Sequence, residues 1–175
     1  MSVDEAKRRL RAEMREVRRQ IAADPTDRAA RSARIWARTV SLGDLGADSP
    51  GSETHRAQKR RVMFYDALPG EPDSRLWAEW CRARGLEVFT PEVDGTDLRV
   101  MPGDVEPTTL DVVIVPGLAF AVDGRRLGQG GGHYDRFLPR LRAECLTIGV
   151  CYAEQLVADL PNDTHDIAVH LVVTD

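Results

Sequence analysis

Residues 110–120 read Leu-Asp-Val-Val-Ile-Val-Pro-Gly-Leu-Ala-Phe, "LDVVIVPGLAF". A continuous β-branched run with no polar alternation predicts a strand covered on both faces, as in a parallel sheet. Three other runs share the character: "RVMFYDAL" (61–68), "LEVFTP" (86–91) and "LTIGVCY" (146–152), and "AVHLVVTD" (168–175) can close the sheet. Between the first two lies "EPDSRLWAEWCRARG", a predicted helix with Asp73 or Ser74 as cap, Gly85 as stop, and Leu76, Trp77, Trp80 and Cys81 facing inward. Strands alternating with helices predict an α/β fold with a mainly parallel sheet. The expected architecture is a three-layer sandwich, a Rossmann-like sheet flanked by helices.

Upstream, residues 4–22 predict a helix whose apolar stripe is Leu10, Met14, Val17 and Ile21. At 100° per residue, Lys7, Arg11 and Arg18 lie along one edge of that stripe. Spacing alone lets them snorkel into solvent. Residues 24–42 predict a second helix, capped by Asp24 or Thr26, with Ile35, Trp36 and Val40 inward. Residues 43–58 are a polar, Gly/Ser/Pro-rich connector.

The chain has 175 residues, enough for one domain with a real core, and residues 1–175 are read as one unit. The net charge of −4 speaks against a general nucleic-acid binder. No apolar run is long enough to span a bilayer, and the N-terminus does not read as a signal peptide. Three scattered cysteines with no Cys-x-x-Cys pair are expected to be reduced thiols in a cytoplasmic protein.

Directly after the central strand comes "RRLGQGGGHYD" (125–135), with glycines at 128, 130, 131 and 132 ahead of a helix expected to start at His133 or Tyr134. Bare backbone N–H groups at a helix start can approach a phosphate. Arg125 and Arg126 add positive charge. The same run also fits a plain flexible turn. It is not a Walker loop, since no Gly-Lys-Ser/Thr follows, and His133 stands where a dinucleotide fingerprint needs its third glycine. Asp135 and Asp166 fit magnesium ligands beside nucleotide phosphates, or a helix-dipole partner and a loop turn former respectively.

Four separated blocks resemble the 5-formyltetrahydrofolate cyclo-ligase family, also called methenyltetrahydrofolate synthetase. They are "KRRLR" (7–11), "YDALPGEPDS" (65–74), "VPGLAFAVDGRRLGQGGGHYDR" (115–136) and "IGVCYAEQLVADLPNDTHDIAVHLVVTD" (148–175). The resemblance implies transfer of the γ-phosphoryl of Mg-ATP to the formyl oxygen of 5-formyltetrahydrofolate, followed by ring closure to 5,10-methenyltetrahydrofolate. By matched position it implies Lys7, Arg11, Arg126, Leu127, Gly128, Gln129, Gly130, Gly131, Gly132, His133 and Tyr134 at ATP. It implies Arg11, Asp66, Glu71 and residues Gln129 to His133 at the folate. Asp135 and Asp166 would hold Mg2+, and Lys7, Arg126 and Asp135 would carry catalysis. The expected partner is a reduced folate, bound by a monomer. Residues 91–110, "PEVDGTDLRVMPGDVEPTTL", are shorter than in the family and hold no aromatic, which leaves open an ATP-using relative acting on another formyl or acyl compound. A folate-binding protein without catalysis is the third reading.

Overall fold

The computed structural model describes residues 2–42 and 60–175, so the connector expected at 43–58 lies outside the described residues. Helix α1 spans Val3–Ala22 and α2 spans Pro25–Ser41. Ser2 and Glu5 form a capping box on α1, and Asp24 caps α2 by accepting from the N–H groups of Thr26 and Asp27. Strand β1 is Arg61–Met63, helix α3 Arg75–Ala83, β2 Glu87–Asp94 and β3 Asp97–Met101. Then follow β4 (Val112–Val115), β5 (Ala119–Phe120), β6 (Arg126–Leu127), helix α4 (His133–Phe137), β7 (Leu146–Val150) and β8 (Leu171–Val173).

The main sheet has the order β3-β2-β1-β4-β7-β8. All its neighbours are parallel except the β2–β3 hairpin. β4, with all four residues buried, sits in the interior of the sheet, as its uninterrupted apolar run predicts. Its side chains alternate between two cores. Val112 and Ile114 join Ile35, Trp36 and Trp77 under α1–α3, while Val113 and Val115 join Phe89, Phe137 and Leu138 on the other side. Helix layers on both sides of one sheet make the three-layer α/β sandwich.

Several expectations change in detail. The run 110–120 is two strands, because Pro116–Gly117 ends β4 and β5 pairs antiparallel with β6 as a separate ribbon. The predicted strand 61–68 keeps only three residues, after which the chain turns into a loop leading to α3. Leu76 is 68% exposed rather than inward. Trp77, Ala78 and Cys81 set the buried face of α3, and Leu76 lies 140° around the helix from Cys81. Within the stretch 91–110, noted for its shortness and lack of an aromatic, residues 91–101 are mostly strand. They form the hairpin in which Thr90 pairs with Met101 and Asp94 with Asp97, turning at Gly95 with φ 61°.

All three cysteines are free and buried. Burial pushes the Cys81 thiol up to about 11 and those of Cys145 and Cys151 to about 12, so they pack as small hydrophobes. Among the described residues no helix is long and apolar enough to cross a membrane.

Candidate functional site

In the sheet order, β2 lies to one side of β1 and β4 to the other, which makes the β1/β4 boundary the place where the winding reverses. Crevices open at the carboxyl ends of strands at such a point. A cavity of about 480 Å³ lies there, lined by Tyr65 and Asp66 after β1 and by Pro116 and Gly117 after β4. Arg11, Glu71, Arg126–Asp135 and Asp166 also line it. Lys7, Arg18 and Arg125 are absent from this lining, and Arg125 is turned away, donating to Asp123 at 2.8 Å and to the Leu160 carbonyl at 2.8 Å. Lys7 is nonetheless close. It stands directly behind Asp166, at 2.5 Å.

The glycine loop is held by its carbonyls. Arg11 Nε donates to Gly128 O at 3.0 Å, Arg15 to Gln129 O at 3.2 Å, and Arg136 to Gly131 O at 2.6 Å. Among the described residues, the N–H groups of Gln129, Gly130, Gly131 and Gly132 donate to no backbone or side-chain acceptor. A loop whose acceptors are engaged and whose donors are unspent is suited to an anion. Gly130 and Gly132 adopt φ values of 110° and 66°, and a Cβ on Gly132 would stand 2.7 Å from the Arg136 guanidinium. Glycine is therefore required at both. The helix that follows has only five residues, so its dipole contributes less than the sequence suggests.

Arg126 is 4% exposed. It donates to Asp135 at 2.8 Å and lies 5.5 Å from the Tyr134 ring centroid. Asp135 also accepts from the Ile167 N–H at 3.4 Å, which ties it to the loop carrying Asp166. Asp166 accepts from Lys7 and from the Asp163 N–H at 2.6 Å. The snorkelling reading of Lys7 and Arg18 fails, since they are 7% and 6% exposed and each meets a carboxylate. Three buried polar atoms around the cavity have no partner among the described residues: Arg126 Nε, Tyr134 Oη and Arg18 Nε. Burial pushes the Tyr134 phenol well up, so its hydroxyl stays protonated and able to donate.

The two carboxylates named as metal ligands line the same cavity, and each already faces a cation. That donor set fits magnesium. Two carboxylates would leave room for phosphate oxygens on the ion, and Lys7 and Arg126 would add positive charge beside a nucleotide. No group of three or more His, Cys, Asp or Glu ligands occurs among the described residues, so no all-protein cage is present.

The rest of the lining comes from the segment after β1 and from the β2–β3 hairpin. Glu71 is 4% exposed and accepts from Arg18 at 2.9 Å and from the Leu68 N–H at 2.9 Å. Tyr65 donates to Pro72 O at 2.7 Å, which fixes its ring. Asp66 lies at the exposed rim. Pro91, Val93 and Leu98 of the β2–β3 hairpin close the side. His133 Nδ1 meets the Thr96 carbonyl at the hairpin tip at 2.9 Å, and Arg136 Nε donates to the same oxygen at 2.9 Å. Sequence reasoning missed the hairpin, Arg15 and Arg18. For Arg18 a signal existed, since it shares the edge of α1 with Lys7 and Arg11.

Residues 97–175 match the model of the 5-formyltetrahydrofolate cyclo-ligase family. The 5-formyltetrahydrofolate cyclo-ligase of Mycolicibacterium smegmatis is 29% identical over 66% of this chain and 73% of its own length. The Saccharomyces cerevisiae protein of the same name is 38% identical over 39% of this chain, a stretch that spans only 35% of that relative. A 5,10-methenyltetrahydrofolate synthetase from Mycoplasma pneumoniae superposes with a TM-score of 0.80 at 22% identity, over 97% of this chain and 98% of that one, and shares the fold. The Aquifex aeolicus 5,10-methenyltetrahydrofolate synthetase gives 0.74 at 28% identity over 96% and 89%. The glycine loop, Asp135 and Asp166 all fall inside the segment matched by the model of the 5-formyltetrahydrofolate cyclo-ligase family, and the likeness to the Aquifex aeolicus synthetase runs along nearly the whole chain.

Proposed function

We propose that the protein catalyses the ATP-dependent cyclisation of 5-formyltetrahydrofolate to 5,10-methenyltetrahydrofolate, releasing ADP and phosphate. The observation that supports it most is that one cavity is lined by two chemically different sets of residues. One comprises the unspent N–H groups of residues 129–132 with Arg11, Arg126, Asp135 and Asp166, and the other comprises Tyr65, Asp66, Glu71, Pro91, Val93 and Leu98. Phosphoryl transfer is mostly a matter of positioning and charge neutralisation, and the first set offers both.

In this reading the 129–132 amides and Arg126 hold the phosphate chain of ATP, and Lys7 and Arg11 add charge from α1. Asp135 and Asp166 hold Mg2+, which when bound neutralises the phosphate oxygens. The formyl oxygen takes the γ-phosphoryl, N10 attacks the activated formyl carbon and gives up its proton, and that carbon's bond to the phosphorylated oxygen breaks, so that phosphate leaves and can carry the proton away. The chain's part in ring closure is to keep water from the activated carbon, and the β2–β3 hairpin, tied to the glycine loop through Thr96, His133 and Arg136, suits that task. Glu71 and Asp66 face the pteridine.

A second reading follows from the hairpin wall, whose lining residues Pro91, Val93 and Leu98 are aliphatic. Such a wall also suits an ATP-using enzyme with another formyl or acyl substrate. Purified protein mixed with Mg-ATP and 5-formyltetrahydrofolate tests both. Methenyl-folate absorbance with matching phosphate release, lost when ATP or magnesium is left out, is the expected result. ATP binding without any methenyl product would reject the folate reaction and favour the second reading.

A further inference from the structure

Arg18 does not line the cavity, yet it connects two of the elements that do. Its Nη1 donates to Glu71 Oε1 at 2.9 Å, and its Nη2 donates to the Gly117 carbonyl at 2.5 Å. Both charged side chains are almost fully shielded, at 7% and 5% exposure. Glu71 Oε2 accepts from the Leu68 N–H, and the Gly117 carbonyl accepts a second bond from Gln155 Nε2 at 3.3 Å. The backbone is shaped for this contact. Gly70 has φ 81°, and a Cβ there would stand 2.6 Å from the Arg18 carbonyl oxygen, so only glycine lets the loop before Glu71 lie against α1.

We propose that Arg18 is a positioning residue for recognition of the pteridine end of the folate, acting through Glu71. The inference rests on the folate reading of the cavity given above. Each Glu71 oxygen accepts one bond from the protein and keeps capacity for one more. Held at both oxygens, the carboxylate has a fixed plane. A pteridine presents an amino group and a neighbouring ring N–H as two parallel donors, and a carboxylate of fixed plane matches them. The Arg18 bond to Gly117 O sets the distance between that carboxylate and the cavity floor. A guanidinium can bridge two acceptors on separate elements, whereas an ammonium is a point charge on a flexible stem.

Two variants test this: Arg18→Lys, which keeps the charge, and Arg18→Met combined with Glu71→Gln, which leaves no lone buried carboxylate. In each, KM is measured for 5-formyltetrahydrofolate and for Mg-ATP, with direct calorimetric binding of the folate and thermal melting alongside. For Arg18→Lys we expect folate KM and Kd to rise about tenfold or more, while the ATP KM stays within about twofold. Wild-type protein should also reject a folate analogue lacking the pteridine amino group by about 100-fold, and Arg18→Lys should lose most of that discrimination. The double variant should behave like Arg18→Lys toward folate while still melting cooperatively. Unchanged folate binding in Arg18→Lys, or equal rises in both KM values with a lowered melting temperature, would reduce Arg18 to a structural ion pair and overturn the inference. Wild-type protein that neither binds nor turns over the folate would instead reject the folate reaction itself, and the inference with it.

Discussion

Arg31 and Arg126 are both buried arginines facing carboxylates, but they differ in how much of their bonding capacity is used. Arg31 makes two bonds to Glu154 and two to Asp175, using all three of its nitrogens. Arg126 makes one bond, to Asp135, and its buried Nε has no partner among the described residues. The same contrast separates two tyrosines. Tyr152 Oη reaches both Ser32 and the Glu71 carbonyl, whereas Tyr134 Oη reaches nothing described. Away from the cavity only Trp77 Nε1 and Arg142 Nε are left orphaned in this way among the described residues. Buried polar groups are normally paired because leaving one unpaired costs about 1–3 kcal/mol. Clustered exceptions around one cavity are what a site awaiting a polar ligand would show, while saturation marks a joint whose task is to hold elements together.

The contrast predicts opposite outcomes for substitutions of similar severity. The largest effect on activity is expected for Asp135→Ala, which removes a cavity carboxylate while sparing the core. Its kcat/KM should fall by about 10²–10³-fold with a nearly unchanged melting curve. Near-normal turnover would remove Asp135 from the site. Lys7→Ala should raise the KM for Mg-ATP about tenfold and leave folate KM little changed, as measured by initial rates with each substrate varied. An unaltered ATP dependence would return Lys7 to the role of a plain partner for Asp166.

Arg31→Ala should do the reverse, lowering stability by about 2 kcal/mol without altering either KM. It should also change the response to acid. Arg31 hydrogen bonds hold the Glu154 carboxyl below its ordinary value of 4.5. Burial pushes the Asp175 carboxyl up, but its bonds to Arg31 and to the Ala153 N–H outweigh that, and it ends below its ordinary 3.8. Carboxyls with depressed folded-state pKa values stabilise fully above their ordinary values, and the contribution is lost as pH falls through the folded ones. Wild-type stability measured by denaturant titration should therefore drop steeply below about pH 4.5, and the Arg31→Ala variant should show a shallower drop. Equal slopes would detach the acid response from this joint.

Sequence reading reached the two regions unequally. Helix α1, the central strand and the glycine loop were legible because each depends on local chemistry: an apolar stripe, a β-branched run, glycines that only certain backbone angles require. The hairpin β2–β3 was not, because Asp94-Gly95-Thr96-Asp97 is a short turn inside a polar stretch whose alternation is weak. The burial of Arg18 was equally hidden. Helical spacing places it beside Lys7, but nothing near it in the chain shows that Glu71, 53 positions later, folds down to meet it. Long-range pairings of charge are set by topology, and a single sequence carries no local mark of them.

The Lys7–Asp166 pair joins residues 159 positions apart. Helix α1 thus carries a cation whose counterpart lies beyond every strand of the main sheet except β8. Arg18 on the same helix needs only Glu71 and Gly117, whereas Lys7 lacks its carboxylate until the segment carrying Asp166 is in place. The part of the cavity lined by Asp166 therefore depends on a contact that spans most of the fold. Contacts of such large sequence separation slow folding, because the chain between them must be ordered before they reward it.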